Sequence, residues 1–409
     1  MLFRSVIFTW KHALEATSTI ANGNWMWITE MKALDDYTLE CKTEAPYRNL
    51  LFNVGINVSN ILCEKAMTAD PEKGLLIGTG AYKLKEFEPN DYLLFERNED
   101  YWGPAPASKY QRWTRVTEAA ARTIMLQTGE LASAGVGTTD LPLFENDPNY
   151  RIHRYAANNS QGIVFNTQDA LCGDLNFRLA VRYALDIRTL AKFASPTYDV
   201  PVLDGTIWGL NVPYKNESIP FIEQDLAKAK EYLANSKYQA GQTVEITASS
   251  ASDMGMAVIE QLAAIGVKAE INVLDSATMA VYTNPSDNKS QMSLFFARVS
   301  QNPVDSLRLN FMKGMSNNRA SYDNPEADKL MTDVITMTDE DEIRETYYKI
   351  QEMITADCPY IPVYWMPSTA VRHLGVGGFM TSPSAMEDRR YAYQVIDGLE
   401  VWKDRVAKG

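Results

Sequence analysis

The chain has 409 residues, of which 45% are hydrophobic and 22% charged, so it can bury sizeable cores and should hold two or three domains. Its 39 basic and 52 acidic residues leave a net charge of −13. That excess argues against nucleic acid as a partner, because such binding needs clustered Lys and Arg to displace counterions.

The N-terminus, MLFRSVIFTWKHALEATS, lacks the charged, apolar, small-residue order of an export signal. It reads as entering a helix at Phe8–Leu14, so the chain is expected to be a fragment whose signal and first strands lie upstream. No apolar run approaches membrane-spanning length. After the turn at Asp35-Asp36, Tyr37, Leu39 and Cys41 alternate with polar residues, as in a half-buried strand. Ser59–Met67 reads as a helix that stops at Asp70-Pro71.

Ile77–Trp102, IGTGAYKLKEFEPNDYLLFERNEDYW, reads as a hairpin. Gly78 and Gly80 are expected to permit a sharp bend, Pro89-Asn90-Asp91 supplies the turn, and Tyr92–Phe95 resumes the strand. A strand at Trp113–Thr117 and a helix over Glu118–Gly129 follow, with Gly129 as its C-terminal stop. Gly162–Asn166 is a short apolar strand, and Asp174–Ile187 an amphipathic helix with Asp174 able to cap it.

Ser195–Ser218, with Pro196, Pro201, Trp208 and Pro213, reads as one long loop of the kind that carries function or wraps a domain. A helix at Asp225–Leu233 precedes a strand–helix–strand run: Val244–Thr247, Gly255–Ala264, Val267–Leu274. Such a crossover implies parallel pairing. Leu294–Ala297 is a further buried strand, helices are expected at Pro325–Met337 and Asp339–Ala356, and Tyr360–Trp365 is a strand. His373–Trp402 reads as irregular.

Chemistry-bearing motifs are sparse. There is no GxSxG elbow, HExxH, Walker loop or GxGxxG, and the acids at Asp339–Glu342 open a helix, where the dipole favours them. No enzymatic activity and no cofactor are expected. Three scattered histidines (His12, His153, His373) and four cysteines without short repeated spacing argue against a structural zinc site. Cys41, Cys63, Cys172 and Cys358 are compatible with one or two disulfides in an exported protein or with free thiols; spacing does not decide.

The order of residues in Ile77–Trp102 resembles the "GTGPYK…ERNPDYWG" pattern of the family 5 extracellular solute-binding proteins, the oligopeptide and dipeptide receptors of ABC importers. Further ordered matches run along the chain. Val6–Leu14 resembles "DVVFSWKRAL", Ala33–Thr38 "ALDDYTV", and Arg122 with Leu126–Leu131 "R…ALQSGEVD". Val164–Thr167 resembles "LAFNT", Asn176–Val181 with Ala184–Arg188 "DVRVRQAL…AIDR", and Asp225–Leu233 "DPEKAKELL". Tyr322–Leu330 resembles "YSNPEVDKLL" and Pro359–Tyr364 "APYIPLY".

The resemblance implies an α/β, two-lobed periplasmic-binding-protein type II fold with an appended subdomain on the first lobe. On this mapping residues 1–76 are the appended subdomain, 77–168 and 373–409 the first lobe, and 169–372 the second. Ligand would close the hinge near Phe165 and the C-terminal crossing. The expected partners are a peptide or other small ligand and the permease subunits of an importer. A monomer outside the cytoplasm is expected, either periplasmic or a surface lipoprotein.

The family's receptors pair a ligand amine with the Asp of "W-x-A-D-x-x-D-P". The corresponding run here is Phe296-Ala297-Arg298-Val299-Ser300-Gln301-Asn302-Pro303, which puts Val299 at the acid position. A neutral Val cannot balance an ammonium, whereas Arg298 beside it could pair with a carboxylate. A non-peptide solute, such as an oligosaccharide or a metal chelate, is therefore the second reading. Phe296, Arg298, Val299, Ser300 and Asn302 are candidate ligand contacts. So are Phe165 and Asn166 at the first hinge, Trp208 in the long loop, and Tyr364 and Trp365 at the last strand. Packing accounts equally well for Tyr364 and Trp365 and slightly better for Trp208, and a side chain capping its own backbone is the commoner role for an Asn placed like Asn166.

Overall fold

The computed structural model describes residues 3–15, 25, 27–48, 50–55, 60–194, 208, 212–298, 303–377, 380–381, 387–388 and 393–394. They form two compact units: Met1–Glu44, Phe52–Ala156 and Pro367–Gly409 in the first, Ala45–Leu51 and Ala157–Met366 in the second.

In the first unit, helix α1 (Phe3–Glu15) buries Trp10, whose ring stacks on Trp25 at 4.3 Å. Strands β1 (Ile28–Ala33) and β2 (Leu39–Thr43) pair antiparallel across the Asp35-Asp36 turn. The helix expected from Ser59 begins only at Glu64 (α2, Glu64–Ala69), since residues 60–63 are not helical. The hairpin is β3 (Tyr82–Glu88) and β4 (Tyr92–Arg97), joined by β5 (Tyr110–Thr114) in a three-stranded sheet. Its tight turn is at Asn90, with φ of 65°, an angle Asn tolerates better than most residues. Gly78 and Gly80 do not reach positive φ; the chain bends at Gly80 and Ala81 without it. The strand expected at Trp113–Thr117 lies three residues earlier, where its register with β4 sets it. Helix α3 (Ala119–Gln127) ends at Gly129, whose φ is +80°. Strand β6 (Ser133–Ala134) pairs with Val371 and Arg372.

Strand β7 (Tyr150–Phe165) is far longer than its apolar end, Gly162–Phe165, and continues from the first unit into the second. There Asp174 caps α4 (Leu175–Ala184) by accepting from the Asn176 N–H. The helix expected to reach Ile187 breaks at Leu185, which is extended (φ −93°, ψ 125°), and restarts as α5 (Ile187–Ala194). Next come α6 (Leu226–Ala234, capped by Asp225), β8 (Thr243–Ala248), α7 (Asp253–Ala263, capped by Ser252) and β9 (Lys268–Val273). Strands β8 and β9 pair in parallel, as the strand–helix–strand pattern requires. Helix α8 (Ser276–Tyr282), β10 (Met292–Arg298), α9 (Pro303–Phe311), α10 (Pro325–Asp333), α11 (Glu340–Asp357) and β11 (Tyr360–His373) complete the set.

The sheet of this unit has the order β11-β7-β10-β8-β9, with β10 antiparallel to β7 and parallel to β8. Its core packs Ile163, Phe165, Phe177, Val181, Leu185, Val244, Ile246, Val258, Leu262, Met292 and Ile361, all nearly or fully inaccessible. Side chains of this size each contribute about 1.5–3 kcal/mol on burial. Most of Ser195–Ser218 lies outside the described residues, as does most of His373–Trp402.

Candidate functional site

The candidate site is assembled where β7 ends. Phe165, fully buried, donates its N–H to the Pro359 carbonyl at 3.0 Å and belongs to the core. Asn166 then turns the chain, its side chain 5% exposed and engaged on every polar atom. Nδ2 donates to the carbonyls of Asn288 (3.1 Å) and Ser290 (2.9 Å), and Oδ1 accepts from the Gln168 N–H (3.1 Å). Asn166 thus caps its own backbone and also ties the β7 end to the segment entering β10.

A second loop is tied to the same corner. The Thr167 N–H donates to the Ala320 carbonyl (2.8 Å) and its hydroxyl to that of Ser321 (3.0 Å). Asn288 Nδ2 donates to the Arg319 carbonyl at 2.8 Å. Inside the loop, Asn318 Nδ2 donates to the Tyr322 carbonyl and Oδ1 accepts the Tyr322 N–H, which holds Ser321 at φ 48°. Tyr322 donates its hydroxyl to Asp357 at 2.5 Å, and burial foremost, then that carboxylate, pushes its phenol well above the usual range. Val164, Phe295, Ala297, Asn310, Phe311, Asn317, Arg319, Ala320 and Tyr360 line an open recess of about 250 Å³, solvent included.

The sequence-derived candidates are distributed as follows. Phe296 and Arg298 stand in β10 opposite Gln161 and Asn159, and their side chains lie outside the described residues. Val299, Ser300 and Asn302 also lie outside. Trp208 is 2% exposed, donates Nε1 to the carbonyls of Val212 (3.2 Å) and Pro213 (2.9 Å), and meets Tyr347 of α11 edge-on at 5.7 Å. Trp365 is 2% exposed, and Tyr364 is half-buried with its phenol raised by that burial. Fold topology therefore brings Phe165 and Asn166 to the strand that carries Phe296 and Arg298, while Trp208 packs on α11.

Sequence reasoning missed Arg319, Asn310 and Asn317. The only signal was position: Arg319 stands three residues ahead of the Tyr322–Leu330 match, in a polar stretch with no other pattern. Among the described residues no group of three or more His, Cys, Asp or Glu could hold a metal ion. No described helix is long and apolar enough to cross a membrane. Cys172 and Cys358 are buried, Cys41 and Cys63 half-buried, and all four are free thiols.

Comparison with known structures defines the class. The chain superposes on the oligopeptide-binding protein AppA of Bacillus subtilis in complex with a nonapeptide, with TM-score 0.81, 21% identity, and 96% of this chain and 84% of that one covered. DppA of Helicobacter pylori in complex with the peptide STSA gives TM-score 0.82 and 22% identity, with 96% of this chain and 81% of that one covered. The fold is that of the type II periplasmic binding proteins. The chain belongs to the bacterial extracellular solute-binding proteins, family 5, whose middle-region model matches residues 3–322. That family binds substrates for ABC transporters and is not one of enzymes. By sequence the chain is 24% identical over 336 residues to the nickel-binding periplasmic protein of Escherichia coli, covering 76% of this chain and 63% of that protein. It is 25% identical over 309 residues to AppA of Bacillus subtilis, covering 71% and 56%. It thus spans less than two thirds of the length of these two relatives.

Proposed function

We propose that the chain is the substrate-binding component of an ABC importer that captures peptides outside the cytoplasm and delivers them to a permease. Family membership over residues 3–322 carries the reading, and likeness to AppA and DppA, both solved with peptides, supports peptide as the solute. On this reading residues 169–372 act as one lobe and 77–168 with 373–409 as the other, with 1–76 appended. Capture closes the hinge without covalent chemistry, because a solute that binds the closed form better shifts the population toward it. The protein works as a monomer, in the periplasm or held at the cell surface by a lipid. Phe296, Arg298, Val299, Ser300, Asn302, Tyr364 and Trp365 are proposed to face the solute, with Phe165 and Asn166 shaping the strand end behind them and Trp208 bracing α11.

A second reading, capture of a metal chelate or another non-peptide solute, is favoured by two observations. One relative is a nickel-binding protein, and Val299 replaces the amine-pairing acid. Thermal-shift measurement with a tetrapeptide library, maltotetraose and nickel–histidine decides between them, since a ligand of the native state raises the melting midpoint as its concentration climbs. Stabilisation by peptides is the expected result. Stabilisation by the other solutes alone would replace the first reading with the second.

A further inference from the structure

Arg319 uses only one edge of its guanidinium. Nη1 donates to the carbonyls of Ala280 (2.8 Å) and Thr283 (3.2 Å) and to the Thr283 hydroxyl (3.4 Å), at the C-terminal end of α8. Nε is buried without a partner, and Nη2 makes no hydrogen bond among the described residues. No described carboxylate pairs with the charge, and burial alone lowers the pKa of the group. The guanidinium lies 5.4 Å from the ring centroid of Phe295 and lines the recess with Asn310, Asn317, Phe311 and Tyr360.

Those facts fit one kind of occupant. A buried donor without an acceptor costs free energy, and an uncompensated buried cation costs more. The Nε–Nη2 side of an arginine presents two parallel N–H groups at the spacing of a carboxylate's oxygens. The edge is also held ready: Nη1 anchors the head, Asn288 and Thr167 fix the loop through the carbonyls of Arg319 and Ala320, and Asn318 clamps it to Tyr322. A group fixed before binding loses little entropy when it binds.

We propose that the Nε–Nη2 edge of Arg319 is a carboxylate-binding subsite for the solute. The inference rests on the reading of the chain as a solute receptor, and it assigns to Arg319 the anion-pairing role that the sequence suggested for Arg298. The carboxylate has three sources: a peptide C-terminus, an acidic side chain of a peptide, or a non-peptide acid.

The test uses the full chain and its Arg319→Gln and Arg319→Lys variants, titrated calorimetrically with four probes. These are a tetrapeptide library free of Asp and Glu, the same library amidated at the C-terminus, the amidated library with Glu at one position, and citrate. Wild type should favour a carboxylate-bearing set over the plain amide by about 10- to 100-fold. The Gln variant should lose that preference and the Lys variant retain part of it. The acid-to-amide ratio separates recognition from the structural task of Nη1, and unliganded melting midpoints show that each variant is folded. Equal binding of acids and amides by wild type, or a ratio unchanged in a folded Gln variant, would overturn the subsite and leave peptide capture standing. Binding of citrate alone, lost in the Gln variant, would keep the subsite and overturn peptide as the solute. Silence to every probe would overturn both.

Discussion

Gly162 offers a sharp test of the second unit. It lies in β7 opposite Phe295 of β10, and an added Cβ would stand 2.2 Å from the Ile361 carbonyl oxygen and 2.7 Å from the ring and hydroxyl of Tyr360. An ordinary contact begins near 3.4 Å, so Gly162→Ala must part the backbones of β7 and β11 or expel the tyrosine ring. Tyr360 is buried and donates its hydroxyl to the Ser160 carbonyl at 2.5 Å, so neither route is free. Overpacking costs about 1–3 kcal/mol, and the disturbed buried hydrogen bond about 1 kcal/mol more. The total, about 2–4 kcal/mol, corresponds to a fall of about 4–16 °C in the melting midpoint of a unit this size. Gly241→Ala is the control: its φ is +87° with nothing within 4 Å, so only the backbone term of about 1 kcal/mol applies. Scanning calorimetry of the three proteins reads both effects. A Gly162→Ala midpoint within about 2 °C of wild type, or above that of Gly241→Ala, would refute the close β7–β11 approach.

Asn166→Ala removes the partner of one N–H and two carbonyls at a buried corner, and is expected to cost about 2–4 kcal/mol in urea unfolding; a loss below about 0.5 kcal/mol would show the corner is not held by that side chain. Burial pushes the Cys358 thiol up to about 11 and raises Cys172 as well, so a thiol reagent at pH 8 should modify two cysteines, Cys41 and Cys63, in the native chain and four after denaturation. Rapid modification of four in the native chain would contradict the burial. Asp275 caps α8, and its carboxylate is held below the ordinary value of 3.8 chiefly by the Thr278 hydroxyl and then by the Thr278 and Ala277 amides. A depressed folded-state value means the cap stabilises above about pH 4 and is lost as pH falls through the lowered value. Asp275→Ala should therefore flatten the acid limb of the stability profile below pH 4, and an unchanged limb would remove the cap from the account.

The parts of the fold legible in the sequence are those set by local chemistry. Asp174 caps the helix it was expected to cap, Asp225 and Asp339 stand as N-caps of helices expected to open at them, and the strand–helix–strand run at 243–273 did imply parallel pairing. What failed was set by distant partners. Most of β7 carries no apolar pattern of its own, yet it is a strand sixteen residues long. The helix at Asp174 breaks at Leu185 although its sequence pattern runs on, and the Asp186 N–H beyond the break finds Gln261 of α7 instead. The bend read at Gly78 and Gly80 does form, at Gly80 and Ala81, but without the positive φ that glycine permits. The site divides in the same way. Order-by-order resemblance located the β10 run, but no local pattern marked Arg319, whose significance depends on which of its donors the fold leaves unpaired.

Peptide capture is the activity proposed for this chain. Isothermal titration of the full chain with a tetrapeptide library, repeated at two temperatures, tests it most directly. The expected result is saturable binding, with a heat that becomes more favourable on warming as apolar surface is buried. A folded chain that gives no heat with peptides, but saturates with maltotetraose or nickel–histidine, would contradict it.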